Sequence, residues 1–217
     1  DFGSPIRDYK VEYKNQETST YQLQGEHFFD IGELGGLLEW RGAMSEATTD
    51  QDLRFSLYVD RTDTDNFVLT NNAQSLFIYT NDLEDVVDDY SVDWTSFLSG
   101  DEFFGSWKSG VAFTHNERDF AGRRLRFRPR SSAGIDLTLP PEDVLVPENI
   151  RPDGFEVEEI TRPTDFYDGD HAVEAAFTQM DWSYQRWRVI GGVRYEASDL
   201  EVVTLNRQNP DQPPITS

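Results

Sequence analysis

The sequence predicts an all-β chain of antiparallel strands. Three observations carry that expectation. Apolar and polar side chains alternate at every second position over many short stretches, and turn-forming residues separate the stretches. Aromatics make up 13% of the 217 residues although hydrophobic residues reach only 37% in all, so much of the apolar content sits in large rings. No stretch approaches the roughly 20 consecutive apolar residues that a spanning helix needs, and a chain of this pattern crosses a bilayer only as a barrel.

The clearest alternation runs over residues 184–196. Trp187, Val189, Gly191, Val193 and Tyr195 share one parity, and Arg186, Arg188, Ile190, Gly192, Arg194 and Glu196 share the other. The first set suits lipid, with aromatics at both ends where the girdles of a spanning strand of about 9–11 residues fall. The second set suits a wet lumen. Leu53, Phe55, Leu57 and Val59 alternate with Asp52, Arg54, Ser56, Tyr58 and Asp60, and Tyr90, Val92 and Trp94 alternate with Asp89, Ser91, Asp93 and Thr95. Trp107, Val111 and Phe113 oppose Lys108, Gly110 and Ala112, while Leu125 and Phe127 thread between Arg124, Arg126 and Arg128. Another strand begins at Val173, Ala175 and Phe177 and runs toward Trp182, and weaker patterns cover 21–29 and 38–46. Roughly eight strands result.

Turn chemistry marks 30–36, 61–66, 99–102 and 167–170, with tight and long connections alternating poorly. The interval 129–166 is the longest irregular piece. Pro140, Pro141, Pro147, Pro152 and Pro163 cannot donate ladder hydrogen bonds, so a long loop is expected, with a short helical turn near 141–146. The tail 206–217 reads as a loop or disordered end. Neither an internal repeat nor a domain-splitting linker is visible.

The 19 Lys+Arg against 41 Asp+Glu leave a net charge of −22. Phosphate repulsion over such a surface argues against nucleic acid as a partner. The chain holds no cysteine, so disulfides and thiolate metal sites are excluded. Its first ten residues carry no basic segment followed by an apolar run.

Trp187-Arg188-Val189-Ile190-Gly191-Gly192-Val193-Arg194-Tyr195-Glu196 resembles a barrel strand of the TonB-dependent outer-membrane receptors of Gram-negative bacteria, written loosely L-R-x-x-G-G-x-R-Y-E. Residues 162–167 followed by 171–180 are similar to the acidic entry into the preceding strand. Weaker likenesses fall at 21–27, 81–85 and 118–120, so the resemblance covers most of 21–204. It implies antiparallel strands of an outer-membrane β-barrel with long loops, a partial barrel located in the cell outer membrane. It further implies TonB-dependent uptake of a siderophore, vitamin or carbohydrate. The implied partners are outer-membrane lipid, a small nutrient ligand, and the TonB complex acting through a plug domain. The plug and the TonB-contacting segment have no counterpart in the sequence, and the family's barrel has more strands than 217 residues supply, so 1–217 reads as a barrel segment.

The candidate substrate-binding residues are Arg124, Arg126, Arg128, Arg188 and Arg194. The first three form a basic ladder in an acidic chain, with Arg123 and Arg130 nearby. Such a ladder meets an anionic substrate or the plug, or it pairs with acids on neighbouring strands, the commoner use in sheets. Asp82, Glu84, Asp85, Asp88 and Asp89 offer oxygen ligands but lack the spacing of a calcium loop, and a solvated acidic edge is the commoner case. Asp165, Asp168 and Asp170 read the same way. His27, His115 and His171 form no zinc-binding spacing. No metal site and no cofactor are therefore expected. Neither a nucleophile elbow nor a phosphate-binding loop is present, so an enzyme is not expected. With 41 acids, any carboxylate pair chosen for glycoside hydrolysis is uninformative, although Trp40, Phe103 and Phe104 have the form of sugar-stacking rings. The alternative to a transporter is a soluble, acidic β-sandwich that binds carbohydrate or protein, since sandwich strands alternate too. The two readings differ in whether the apolar parity points at lipid or at a second sheet.

Overall fold

The computed structural model describes residues 5–30, 35–60, 66–71, 75–130, 134–204 and 215–216. Among the described residues nine strands lie in one antiparallel sheet, which is not closed. Six of them are long: β1 (Ile6–Phe29), β2 (Gly36–Asp60), β4 (Phe77–Ser99), β5 (Phe103–Pro129), β7 (Phe166–Tyr184) and β8 (Trp187–Thr204). They pair in sequence order as an up-and-down meander. The short strands β3 (Phe67–Leu69), β6 (Phe155–Glu159) and β9 (Ile215–Thr216) pair with the ends of β2, β5 and β8. The expected all-β architecture of a partial barrel is present.

The alternating stretches read from the sequence are parts of these strands: 89–95, 107–113 and 173–182 lie inside β4, β5 and β7, 52–60 and 124–128 end β2 and β5, and 184–196 crosses the β7–β8 turn into β8. β5 has 27 residues, about 90 Å at ~3.3 Å per residue, far beyond the 9–11 residues a bilayer requires. Sequence patterning weakens in the outer halves because acids there occupy both parities, so several strands read as shorter than they are.

The connections alternate strictly in length, contrary to the sequence reading. At one end of the sheet lie the short connections β1–β2, β4–β5 and β7–β8, and residues 31–34 of the expected turn at 30–36 lie outside the described residues. The β4–β5 turn spans Gly100, Asp101 and Glu102, and the β7–β8 turn spans only Gln185 and Arg186. At the other end lie the long connections from β2 to β4 and from β5 to β7. The expected turn at 167–170 is overturned: Tyr167, Asp168, Gly169 and Asp170 pair with β5 and β8 inside β7. Two strands supply hydrogen-bond partners there, and acidic residues alone do not end a strand. Most of the expected turn at 61–66 and of the tail at 206–217 lies outside the described residues.

The Pro-rich connection contains the anticipated helical turn as α1 (Pro141–Val144), started by Pro141 at its first position. It also contains β6, which its prolines flank rather than interrupt. This connection and the β2–β4 connection meet over the far end of the sheet. There Tyr58, Leu69, Leu76, Phe127, Ile135, Val144 and Phe155 form the one buried apolar cluster among the described residues. The Tyr58 hydroxyl donates to the Leu139 carbonyl at 2.7 Å, and burial raises its pKa. The Leu69 amide donates to the Leu137 carbonyl at 2.9 Å. The core therefore pins the long connections and leaves the middle of the sheet a single layer.

Gln185 has φ of 51° in the two-residue β7–β8 turn, where positive φ matches strand twist but costs a side chain about 1–2 kcal/mol. Gln185→Gly is expected to raise stability by up to about 1 kcal/mol after the added unfolded-state entropy of glycine, measured as a higher midpoint in urea unfolding.

Candidate functional site

Residues opposite one another in the ladder point to the same side of the sheet, so the register assigns every side chain of the six long strands to a face. One face carries Tyr21, Leu23, Leu38, Trp40, Met44, Tyr90, Val92, Trp94, Phe103, Trp107, Val111, Phe113, Met180, Trp182, Trp187, Val189, Val193 and Tyr195. These form a continuous band across all six strands at the short-turn end. They are not packed inward: Tyr21 is 73% exposed, Val193 72% and Trp187 67%. No second layer covers them among the described residues.

The band has the dimensions of a hydrocarbon core. Phe103 and Phe113 bound it on β5, ten residues and about 33 Å apart along the strand, or about 25 Å in height after a tilt near 40°. Aromatics concentrate at its two rims. The tryptophans lie flat on the sheet: a Cβ added to Gly25 would sit 2.6 Å from the Trp40 ring, so only glycine leaves the ring that place. Three indole N–H groups donate within the sheet, from Trp40 to His27 Nε2 at 3.1 Å, from Trp94 to Ser96 Oγ at 2.7 Å and from Trp107 to Thr178 Oγ1 at 2.7 Å. Wet-and-dry side chains of this kind suit an interface.

Beyond Tyr21, Met44, Tyr90, Phe113, Ala176 and Tyr195 the same face turns polar and acidic. The change falls within one pleat repeat of the same cross-strand row on all six strands. Across from the band, the other face holds Gln22, Gln24, Glu26, Glu39, Arg41, Asp93, Lys108, Thr114, Gln179, Arg194 and Glu196. Several of its charges are paired. Lys108 Nζ lies 3.1 Å from Glu39 and 3.3 Å from Asp93, Arg188 pairs with Asp181, and Arg194 lies 3.0 Å from Glu196.

All five candidate arginines stand on this polar face, but the structure does not gather them into one site. Arg194 is in register through Phe177 with Gly110, fourteen residues along β5 from Arg124, or about 45 Å. Arg188 and Arg194 belong to the banded end. Arg124, Arg126 and Arg128 belong to the long-loop end and face acids as sheet pairing predicts. Arg124 Nη2 lies 3.0 Å from the buried Asp165, and Arg126 and Arg128 stand opposite Glu158 and Glu156 in register. Arg123 and Arg130 pair with Glu159 and Glu156, lowering the pKa of both carboxyls.

A feature missed by sequence reasoning lies beside this ladder. Tyr79 is opposite Arg124, and Phe77 and Phe55 continue the row of Arg126. The Arg124 guanidinium sits 4.9 Å from the Tyr79 ring centre, and Phe55 stacks on Phe77 at 5.4 Å. The Nε atoms of Arg124 and Arg126 are buried without a hydrogen-bond partner. Rings and guanidinium planes in two adjacent rows can hold a flat, acidic group. Phe55 and its neighbours Leu53, Leu57 and Val59 share one parity of an alternating stretch. The register places them on the face opposite the band, a distinction available only from pairing.

The acidic cluster on β4 is split by the pleat. Asp82, Glu84 and Asp88 point to the banded face and Asp85 and Asp89 to the other, where Asp85 takes Arg118 and Asn116 and Asp89 accepts Thr114 at 2.6 Å. The five do not converge. Asp165 accepts the Arg162 amide at 2.8 Å, whereas Asp168 and Asp170 lie on the banded face. His27 receives Trp40, His171 meets Ser198 at 2.9 Å, and His115 meets Asp170 at 2.8 Å. Of the expected sugar-stacking rings, Trp40 and Phe103 are in the band and Phe104 is on the polar face.

Compared with known proteins, the chain matches no protein-family model and no curated sequence.

Two outcomes follow from these pairs. Lys108→Met leaves Glu39 and Asp93 directly opposed, and a loss of about 1 kcal/mol is expected in urea unfolding. The Asp82 carboxyl is held above its usual pKa by burial, then by hydrogen bonding and charge from Asp50, with Asp52 adding to it. A folded pKa above the unfolded one favours the fold below the ordinary carboxylate range, a contribution lost as pH rises through the raised value. Asp82→Asn is thus expected to melt higher than the parent at neutral pH, with the difference closing as pH falls to about 4.

Proposed function

We propose that this chain is part of an outer-membrane β-barrel of the TonB-dependent receptor kind, taking up a scarce nutrient rather than catalysing a reaction. The observation that carries the reading is the exposed apolar band, rimmed by aromatics on one face of a single-layer sheet and backed by a face that is mostly polar, with Phe28, Phe97, Phe177 and Ile190 among its polar side chains. The strict alternation of short turns and long connections supports it, as does the strand phrase from Trp187 to Glu196. In a spanning barrel the band meets lipid, the polar face lines the lumen, and the long connections stand outside the cell. Uptake energised by the TonB complex through a plug is what the resemblance adds. The ligand patch of this reading is the arginine–aromatic rows around Arg124, Arg126, Phe77 and Tyr79 on the lumen side, suited to a small acidic nutrient with a flat group. A sandwich is disfavoured, since it needs a second sheet over Val189 and Val193.

Charge at mid-band decides the matter. Val193→Arg is expected to lose about 2–4 kcal/mol of stability in phospholipid vesicles, whereas Gln22→Arg on the lumen face loses little, both read by urea titration of tryptophan fluorescence. A chain that stays folded and monomeric in plain buffer at high concentration, or equal responses of the two variants, would sink the reading.

A further inference from the structure

We propose that His115, Glu117 and Asp170 bind one divalent transition-metal cation on the outward face, immediately beyond the apolar band. The proposal borrows from the barrel reading only its location beside the lipid headgroups; the donor geometry stands without it.

The three donors come from adjacent strands in the middle of the sheet rather than from a loop. Glu117 and Asp170 are register partners on β5 and β7, and His115 is two residues along β5 on the same face. β4 and β8 flank the pair, so four strands hold the backbone. One donor atom from each residue falls within 4.8 Å of the others. An ion with ligand bonds of about 2.0–2.2 Å holds its donors roughly 3–4 Å apart, so small rotations of exposed side chains close the set. The imidazole distinguishes this trio from a mere concentration of acids. Nitrogen beside two carboxylates suits zinc, manganese or cobalt, whereas calcium and magnesium call for oxygen alone.

Within the trio the rival to a metal ion is the proton: His115 Nε2 lies 2.8 Å from Asp170 Oδ2, a hydrogen bond that the ion would replace. In the cross-strand rows of Glu117 and Asp119 and in that of His115, the banded face carries Glu17, Glu46, Glu84, Asp88, Asp168, Asp199 and Glu201 but no lysine or arginine. Arg118 points to the other face, toward Asp85. Glu117, Asp170 and Glu201 lie directly opposite one another on three consecutive strands, an arrangement that sheets penalise. A cation at the trio relieves it. Local sequence spacing could not show this site because Asp170 is 53 residues from Glu117 and meets it only through register.

The test is zinc titration of the full chain in a maltoside detergent, followed calorimetrically and by imidazole NMR. One saturable zinc per chain is expected, weakened about tenfold or more by His115→Ala and by Asp170→Asn but changed less than twofold by Asp199→Asn in the same acidic surroundings. The His115 resonances should shift while those of His27 and His171 hold still, a readout on the parent chain that needs no variant. Absence of saturable uptake, unchanged uptake in His115→Ala, or displacement by equimolar calcium overturns the proposal. Failure here with normal vesicle insertion leaves the barrel reading standing. Zinc binding by a chain that does not insert does the reverse.

Discussion

The uninterrupted antiparallel ladder from β1 to β8 decides on which side of the sheet each side chain stands, since a slip of one residue in any pair would exchange the two faces of that strand. Nothing else in the middle of the molecule enforces that choice. The buried cluster around Tyr58, Phe127 and Phe155 lies at one end, and the rest of the sheet has no apolar interior to reward correct register. Cross-strand contacts therefore carry it: Lys108 between Glu39 and Asp93, Asn81 to Gln51 at 2.8 Å, Thr114 to Asp89, and Trp107 to Thr178. Each is modest alone. Six strands of such pairs, closed at one end by short turns, make the faces unambiguous.

Strand content and the banded face were legible in the sequence for a physical reason. Around Val193 and Tyr90 one parity is apolar and the other polar, and period-two patterning reports that contrast directly. Legibility fails where both faces share a character. The stretch 167–170 looked like a turn because Asp168 and Asp170 are acidic and flank Gly169, although all are paired in β7. Parity within one strand says that Leu53 and Phe55 share a face, not which face it is. That second fact needs the register with β4, which sends them to the side of Tyr79 and Phe77. The arginine ladder was visible, but its division into two groups some 45 Å apart was not, since Arg194 and Arg124 are related only through two strand pairings, β8 with β7 and β7 with β5. The aromatic partners of Arg124 and the trio around His115 escaped for the same reason.

The net charge of −22 is arranged rather than scattered. Within the banded level, acids occupy the face away from the band and are matched by Lys108, Arg188 and Arg194. Beyond the band, acids take both faces, and so do the arginines: Arg118, Arg124, Arg126 and Arg128 stand on the polar face, Arg54 and Arg123 on the other. The outward acidic collar is left facing water, where high dielectric makes opposed carboxylates tolerable. Were the same rows moved two pleat repeats toward the short-turn end, the carboxylates of Asp88 and Asp199 would enter the level of Val92 and Val111. The desolvation cost there is large, which sets the apolar band's position along the strands more firmly than apolar burial alone would.

The sheet's edges complete this logic. Among the described residues β1 pairs on one side only, and the outer side of β8 is paired only at Val203 and Thr204. In water an exposed edge is a site for unwanted pairing. In hydrocarbon each unsatisfied amide or carbonyl costs several kcal/mol, so no open edge persists there. If the band lies in lipid, β1 and β8 must be paired along their banded lengths, and six long strands fall below the eight of the smallest barrels. Closure therefore calls for further strands beside Leu23 and Val193. The chemistry of those strands is constrained in advance: apolar beside the band, polar behind it, and entering through short turns at the same end. An exposed band and open flanking edges on one sheet are thus a single requirement, because the solvent that accepts the first forbids the second.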